Sequence, residues 1–145
     1  MKKLLLIAVV LVAGYFGGIE TGFIPGQGKG YGADPGAQVL ASAFDSHRSD
    51  FQVQGSGRVV RLLADDDDGS RHQRFIIETA SGQTLLVAHN IDLAPRVAAL
   101  EMGDRVEFNG EYAWNAKGGV IHWTHHDPQG RHVSGWIKHG GRSYQ

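Results

Sequence analysis

The sequence predicts a mainly β domain in which five short strands close into a small barrel. Three observations carry that expectation. Glycine is abundant, at 21 of 145 residues, which favours short strands and tight turns over long helices. Apolar residues after Phe51 recur mostly in strand-like runs separated by turn residues. The earliest of those runs, Phe51 to Leu63, is interrupted by Gly55 and Gly57, and glycine inside a strand marks a bulge or strong bend.

The elements follow in order. Lys2 and Lys3 precede an apolar run from Leu4 to Phe16, extended weakly to Ile19. Positive charge followed by a short apolar core is how a secretory signal begins. A membrane span takes about 20 apolar residues, so residues 1–19 read as a signal peptide or a short membrane anchor. Residues 20–36 hold alternating glycines with Pro25 and Pro35 and read as a flexible linker. Asp34 before Pro35 is a helix start. Val39, Leu40, Ala43 and Phe44 then recur at helical spacing, so residues 37–50 are expected to carry an amphipathic helix.

From Phe51 to Gln145 the expected unit is the barrel with a folded-back carboxy-terminal tail. Its strands are the glycine-bent run, His72 to Thr79, Thr84 to Ala88 closed by His89-Asn90, Val106 to Tyr112, and Val120-Ile121-Trp123. Leu93 to Leu100, with Pro95 near its start, reads as a short helix or helical turn between strands three and four. That order looks like an OB-fold, a five-stranded Greek-key barrel. A bent first strand would serve both halves of such a barrel. The stretch Gly103 to Gly110 also resembles the fourth strand of many bacterial OB domains. Asp65 to Asp68 lacks the ligand spacing of a calcium loop and reads as a solvated acidic turn.

Composition excludes several chemistries. Without cysteine there is no disulfide, thiolate metal site or cysteine nucleophile. A net charge of −1 gives no bulk attraction to nucleic acid or acidic lipid.

The chemistry that remains is concentrated in histidine, with seven of the eight at or after His72. The densest run is His122-Trp123-Thr124-His125-His126-Asp127. Residues two apart on a strand share a face, which would bring His122 toward His126. Those two with Asp127 form the candidate metal set, suited to a divalent transition metal such as Zn, Ni or Cu. His72, Arg74, His89, Asn90, Trp123 and Arg131 are the candidate binding residues. His72 and Arg74 would share an outward strand face, where an arginine fork binds carboxylate or phosphate. Of the three tryptophans, one is expected to line a binding surface. The tail with Trp136 and Ile137 is expected to fold back over the barrel, because disorder would leave both side chains in water.

Three blocks carry a resemblance: Arg71-His72-Gln73-Arg74-Phe75, Ala88-His89-Asn90-Ile91-Asp92 and Gly119 to Pro128. Together they look like an uncharacterised bacterial domain-of-unknown-function family with small exported members, over about Phe51 to Gln145. The resemblance brings no activity, substrate or catalytic residue. It implies only that His72, Asn90, His122, His125, His126 and Asp127 belong to one pattern.

Function therefore stays open among three expectations. The first is an exported OB-like binding module whose ligand is an oligonucleotide, glycan, peptide or metal ion. The second is a metal-assisted hydrolase such as a phosphodiesterase using the histidine cluster. The third is a structural component of the envelope. Each places the domain outside the cytoplasmic membrane, in the periplasm or beyond, tethered to that membrane if the amino-terminal segment stays uncleaved.

Overall fold

The computed structural model describes residues 34–145. The signal or anchor segment and most of the linker lie outside the described residues. No helix among the described residues is long and apolar enough to cross a membrane.

Helix α1 (Pro35–Asp45) starts at the expected cap, with the Asp34 side chain accepting from the Gly36 and Ala37 amides. Proline at the first helical position costs no hydrogen bond there, because that amide has no partner inside the helix. The helix turns Leu40 and Ala43 into the core and leaves Val39 in water. Burying Leu40 contributes about 2 kcal/mol. The end of the helix is held by Trp114, whose indole N–H donates to the Phe44 carbonyl and whose ring stacks on His47 at 4.0 Å.

Seven strands follow: β1 (Phe51–Leu62), β2 (His72–Glu78), β3 (Thr84–Asn90), β4 (Arg105–Ala113), β5 (Val120–His122), β6 (Trp136–His139) and β7 (Arg142–Tyr144). Their order is β1-β2-β3-β5-β4-β6-β7, and β1 also pairs with β4. Strands β1, β2, β3, β5 and β4 thus form a closed ring, with β3 and β5 parallel. This is the OB-type barrel expected from the sequence.

Closure depends on β1. Its first half pairs with β4, from Phe51 opposite Tyr112 to Arg58 opposite Arg105. Its second half pairs with β2, from Arg58 opposite Glu78 to Leu62 opposite Phe75, with a register shift between Val59 and Arg61. Gly55 lies opposite Phe108 in the half paired with β4, where a Cβ would sit 2.8 Å from the Phe108 ring. Only glycine lets the strand approach that ring.

Strands β2 and β3 alternate buried and half-buried residues without a break, and inward side chains fill the barrel. Phe75, Ile77, Leu85, Phe108, Tyr112, Ile121 and Ile137 are its largest apolar members.

Two expectations are corrected. The connection 91–100 contains no helix; it is a series of turns. One helical hydrogen bond forms, from the Ala94 amide to the Asn90 carbonyl. The turn goes no further because buried Gln73 takes over the backbone: its amide group donates to the Val97 carbonyl and accepts from the Val97 amide. The tail also adds two strands beyond the five expected. Strand β6 pairs with β4, Phe108 opposite Ile137, and β7 closes a hairpin on it through Gly140-Gly141. Both turn glycines have positive φ, as a two-residue type I′ hairpin requires. Ile137 is fully buried, whereas Trp136 stays half-exposed under the Lys138 ammonium at 4.2 Å.

Candidate functional site

Strand β5 ends at His122 because Trp123 adopts a left-handed backbone, φ 55°. That single residue breaks the alternation on which the face-sharing of His122, Thr124 and His126 depended. Thr124 and His125 turn inward and are buried, and His126 turns out to solvent. The chain then makes a tight loop around Asp127, whose carboxylate accepts from the amides of Gln129, Arg131 and His132. These amide bonds hold the Asp127 carboxyl below its usual range, the Gln129 contact being the largest cause. Asp127 is thereby the organiser of the loop.

The candidate metal set is not brought together. His126 Nδ1 meets the Ser134 hydroxyl at 3.0 Å, Asp127 is occupied by its three amides, and His122 faces Glu111. No group of three or more His, Asp or Glu side chains among the described residues is disposed to hold a metal ion.

His89 is fully buried at the end of β3. Its Nε2 lies 2.9 Å from the Pro95 carbonyl, which only accepts, so Nε2 carries the proton. Nδ1 is then bare and accepts from the Thr124 hydroxyl at 2.7 Å. Burial pushes the His89 pKa down to about 4, against the opposing pull of the Pro95 carbonyl. His89 is a neutral tie from strand β3 to the β3–β4 connection and to the segment after β5.

The other candidate binding residues separate by position. Asn90 uses its side-chain oxygen to accept the Asp92 and Leu93 amides, which starts the β3–β4 connection and sets out Leu93. Arg74 Nε donates to the Ala64 carbonyl, and His72 Nδ1 lies 2.9 Å from the Ser70 carbonyl. Both are engaged with the β1–β2 loop, where Arg96 pairs with Asp65. Trp123 and Arg131 do share one place. With Leu93, Asp127, Pro128, Gln129 and His132 they line a groove of about 620 Å³ between the β3–β4 connection and the loop after β5.

Residues outside the candidate list complete this site. Glu111 on β4 pairs directly across from His122 on β5, on the outer face. Its two oxygens face two histidines: Oε1 is 3.3 Å from His122 Nε2 and Oε2 is 2.6 Å from His132 Nε2. The His132 ring lies flat on Trp123, 4.1 Å away and within 7° of parallel, and its Nδ1 is 2.8 Å from the Val133 carbonyl. Burial would lower the His132 pKa, but the Glu111 bond, the Val133 carbonyl and the Glu111 and Asp127 charges outweigh it, and the pKa is raised. His122 Nε2, though close to Glu111, is buried without a hydrogen bond. The 3.3 Å approach is therefore proximity without bonding geometry. Alternation in β4, where Val106, Phe108, Gly110 and Tyr112 point inward, was the signal that places Glu111 outside.

Comparison with known proteins adds the family. A family model described as "Protein of unknown function (DUF3465)" matches residues 30–145, well over half of the chain. The chain belongs to the DUF3465 family. The match takes in helix α1 as well as the barrel, so in DUF3465 the helix and the barrel fall within one family unit. No curated protein matches the sequence.

Proposed function

We propose that this DUF3465 protein is a binding module that takes its ligand in the groove beside Trp123. The observation that supports the reading is the composition of that groove. Leu93, Trp123 and Pro128 offer apolar surface, and Leu93 is 46% exposed without packing against the core. Arg131 supplies positive charge at the same wall, while the Asp127 carboxylate there is already engaged by three amides and His132 by Glu111. An apolar body carrying an acid group fits such a lining, because the body is removed from water while the acid meets the Arg131 guanidinium. OB barrels commonly recruit a surface groove and an aromatic residue for this purpose. The export and membrane tethering read from Lys2, Lys3 and the apolar run after them belong to the same proposal, and would put the groove outside the cytoplasmic membrane.

The test is an NMR titration of the protein with three probes: indole-3-acetate, oligothymidylate and a neutral glucan oligosaccharide. Indole-3-acetate and oligothymidylate, which combine flat apolar groups with anions, are expected to shift Leu93, Trp123 and Arg131 together. Arg131→Ala should weaken that binding about tenfold, the worth of one charge-assisted hydrogen bond. Shifts elsewhere on the barrel, or equal binding of the neutral glucan, would overturn the assignment.

A further inference from the structure

We infer that Glu111 and His132 form a proton-operated latch that fastens the wall of the groove to the barrel, with His122 as the second station for Glu111. The latch builds on the groove reading for its use, but its own chemistry stands on the geometry alone.

Five of the seven groove-lining residues come from the loop after β5, from Asp127 to His132. Asp127 makes that loop a preformed unit through three amide bonds. Its attachments to the barrel are few. The Gly135 amide donates to the His125 carbonyl, His126 meets the Ser134 hydroxyl (which can donate or accept), His132 stacks on Trp123, and His132 bonds Glu111. The last of these is the only attachment in that set that depends on a proton.

The proton count follows from the acceptors. His132 Nδ1 faces the Val133 carbonyl and Nε2 faces the Glu111 carboxylate. Both partners only accept. An imidazolium satisfies both with its two N–H groups. A neutral imidazole has one N–H, so one ring nitrogen must then point its lone pair at an oxygen. Losing the proton therefore breaks one of the two bonds, and the Glu111 bond also loses its charge partner.

Glu111 has somewhere to go. His122 is its cross-strand neighbour, and His122 Nε2 is the buried nitrogen with no bond, 3.3 Å from the other carboxylate oxygen. A small rotation of the carboxylate toward a His122 Nε2–H would satisfy that nitrogen while freeing His132. The charged and titratable groups around His132 are Glu111 on β4, Asp127 in its own loop, the adjacent Arg131, His122 on β5, and His125 behind Trp123. Glu111 and Asp127 favour the imidazolium, and Arg131 and a protonated His122 or His125 oppose it.

The experiment is an NMR pH titration of the ligand-free protein, following the His132 ring and the amides of Gln129 to Val133, with amide hydrogen exchange on the same loop. His132 is expected to titrate above the ordinary histidine value, and the loop amides should shift with the same midpoint. Their exchange should quicken about tenfold or more once the proton is lost. Glu111→Gln should lower the His132 midpoint by about one pH unit or more and uncouple loop exchange from that midpoint, because an amide side chain accepts from the imidazolium and donates to the bare nitrogen. His122→Ala removes the second station, so the loop should stay latched to a higher pH. A His132 midpoint unmoved in Glu111→Gln, or wild-type loop amides that ignore the wild-type His132 midpoint, would overturn the latch. Because no ligand is present, failure of the latch and failure of groove binding show up as separate results. Both variants lie on the outer face, and dispersion of the Phe75 and Ile121 core signals verifies that each remains folded.

Discussion

His89 is sealed inside the end of the barrel with one nitrogen donating and the other accepting, whereas His132 lies outside between two oxygens. The first site excludes charge: burial dominates, and the ring stays neutral until its pKa of about 4. The second favours charge, because two nearby carboxylates outweigh partial burial. The same residue type is a structural tie in one place and a titrating group in the other. Two things separate them: His89 is fully buried, and it meets a hydroxyl that can donate, whereas His132 is partly exposed and meets acceptors only.

The sharpest way to break this contrast is His89→Ala. It leaves a cavity and strips partners from the Thr124 hydroxyl and the Pro95 carbonyl, so a loss of about 3–5 kcal/mol is expected in urea unfolding. A loss below about 1 kcal/mol would mean that His89 is not the tie described.

Acid should then reveal the same residue. The His89 pKa is depressed from 6.5 to about 4, so the unfolded chain takes up the proton first. The contribution is fully present above pH 6.5 and is lost as pH falls through the folded value, about 3 kcal/mol in all. His132 has the opposite sign: its folded pKa is raised, so its contribution is present below 6.5 and lost as pH rises through the folded value. Urea curves between about pH 7 and pH 4.5 should therefore weaken in wild type and respond less in His89→Gln.

Thr124→Val tests a single bond of the buried tie. Removing the hydroxyl that donates to His89 Nδ1 should cost about 1–2 kcal/mol, and the ring 15N shifts should report a bare Nδ1 without a donor. The smallest effect is expected at His126. That ring is exposed and bonds only the Ser134 hydroxyl, so His126→Ala should change stability by no more than about 0.5 kcal/mol. A larger loss would show that the run from His122 to Asp127 acts as one unit after all.

Much of the barrel was legible because its signals are local. Alternation located the five strands, and the glycines of β1 announced the bend that lets it serve β2 and β4. The cap at Asp34 and Pro35 located the helix. The connection 91–100 was misread because its backbone partner is the Gln73 side chain, distant in sequence. The site was legible in part. Trp123 and Arg131 do share the groove, but the metal set rested on strand alternation continuing past His122. A positive φ at Trp123, a residue with no sequence signature for that conformation, ended the alternation. Glu111 escaped notice because its importance comes from register: it stands opposite His122 only once β4 and β5 are paired.

The dual pairing of β1 also bears on how fast the protein folds. β2 and β3 meet through a short turn, and β6 and β7 through two glycines. The seam that closes the ring instead pairs Phe51 with Tyr112, across two intervening strands. Joining segments so distant costs loop entropy before any contact repays it. Chains dominated by such pairings fold in about milliseconds to seconds. The seam should set the rate, so weakening β1–β4 contacts should slow folding, while changes in the β6–β7 hairpin should mainly hasten unfolding.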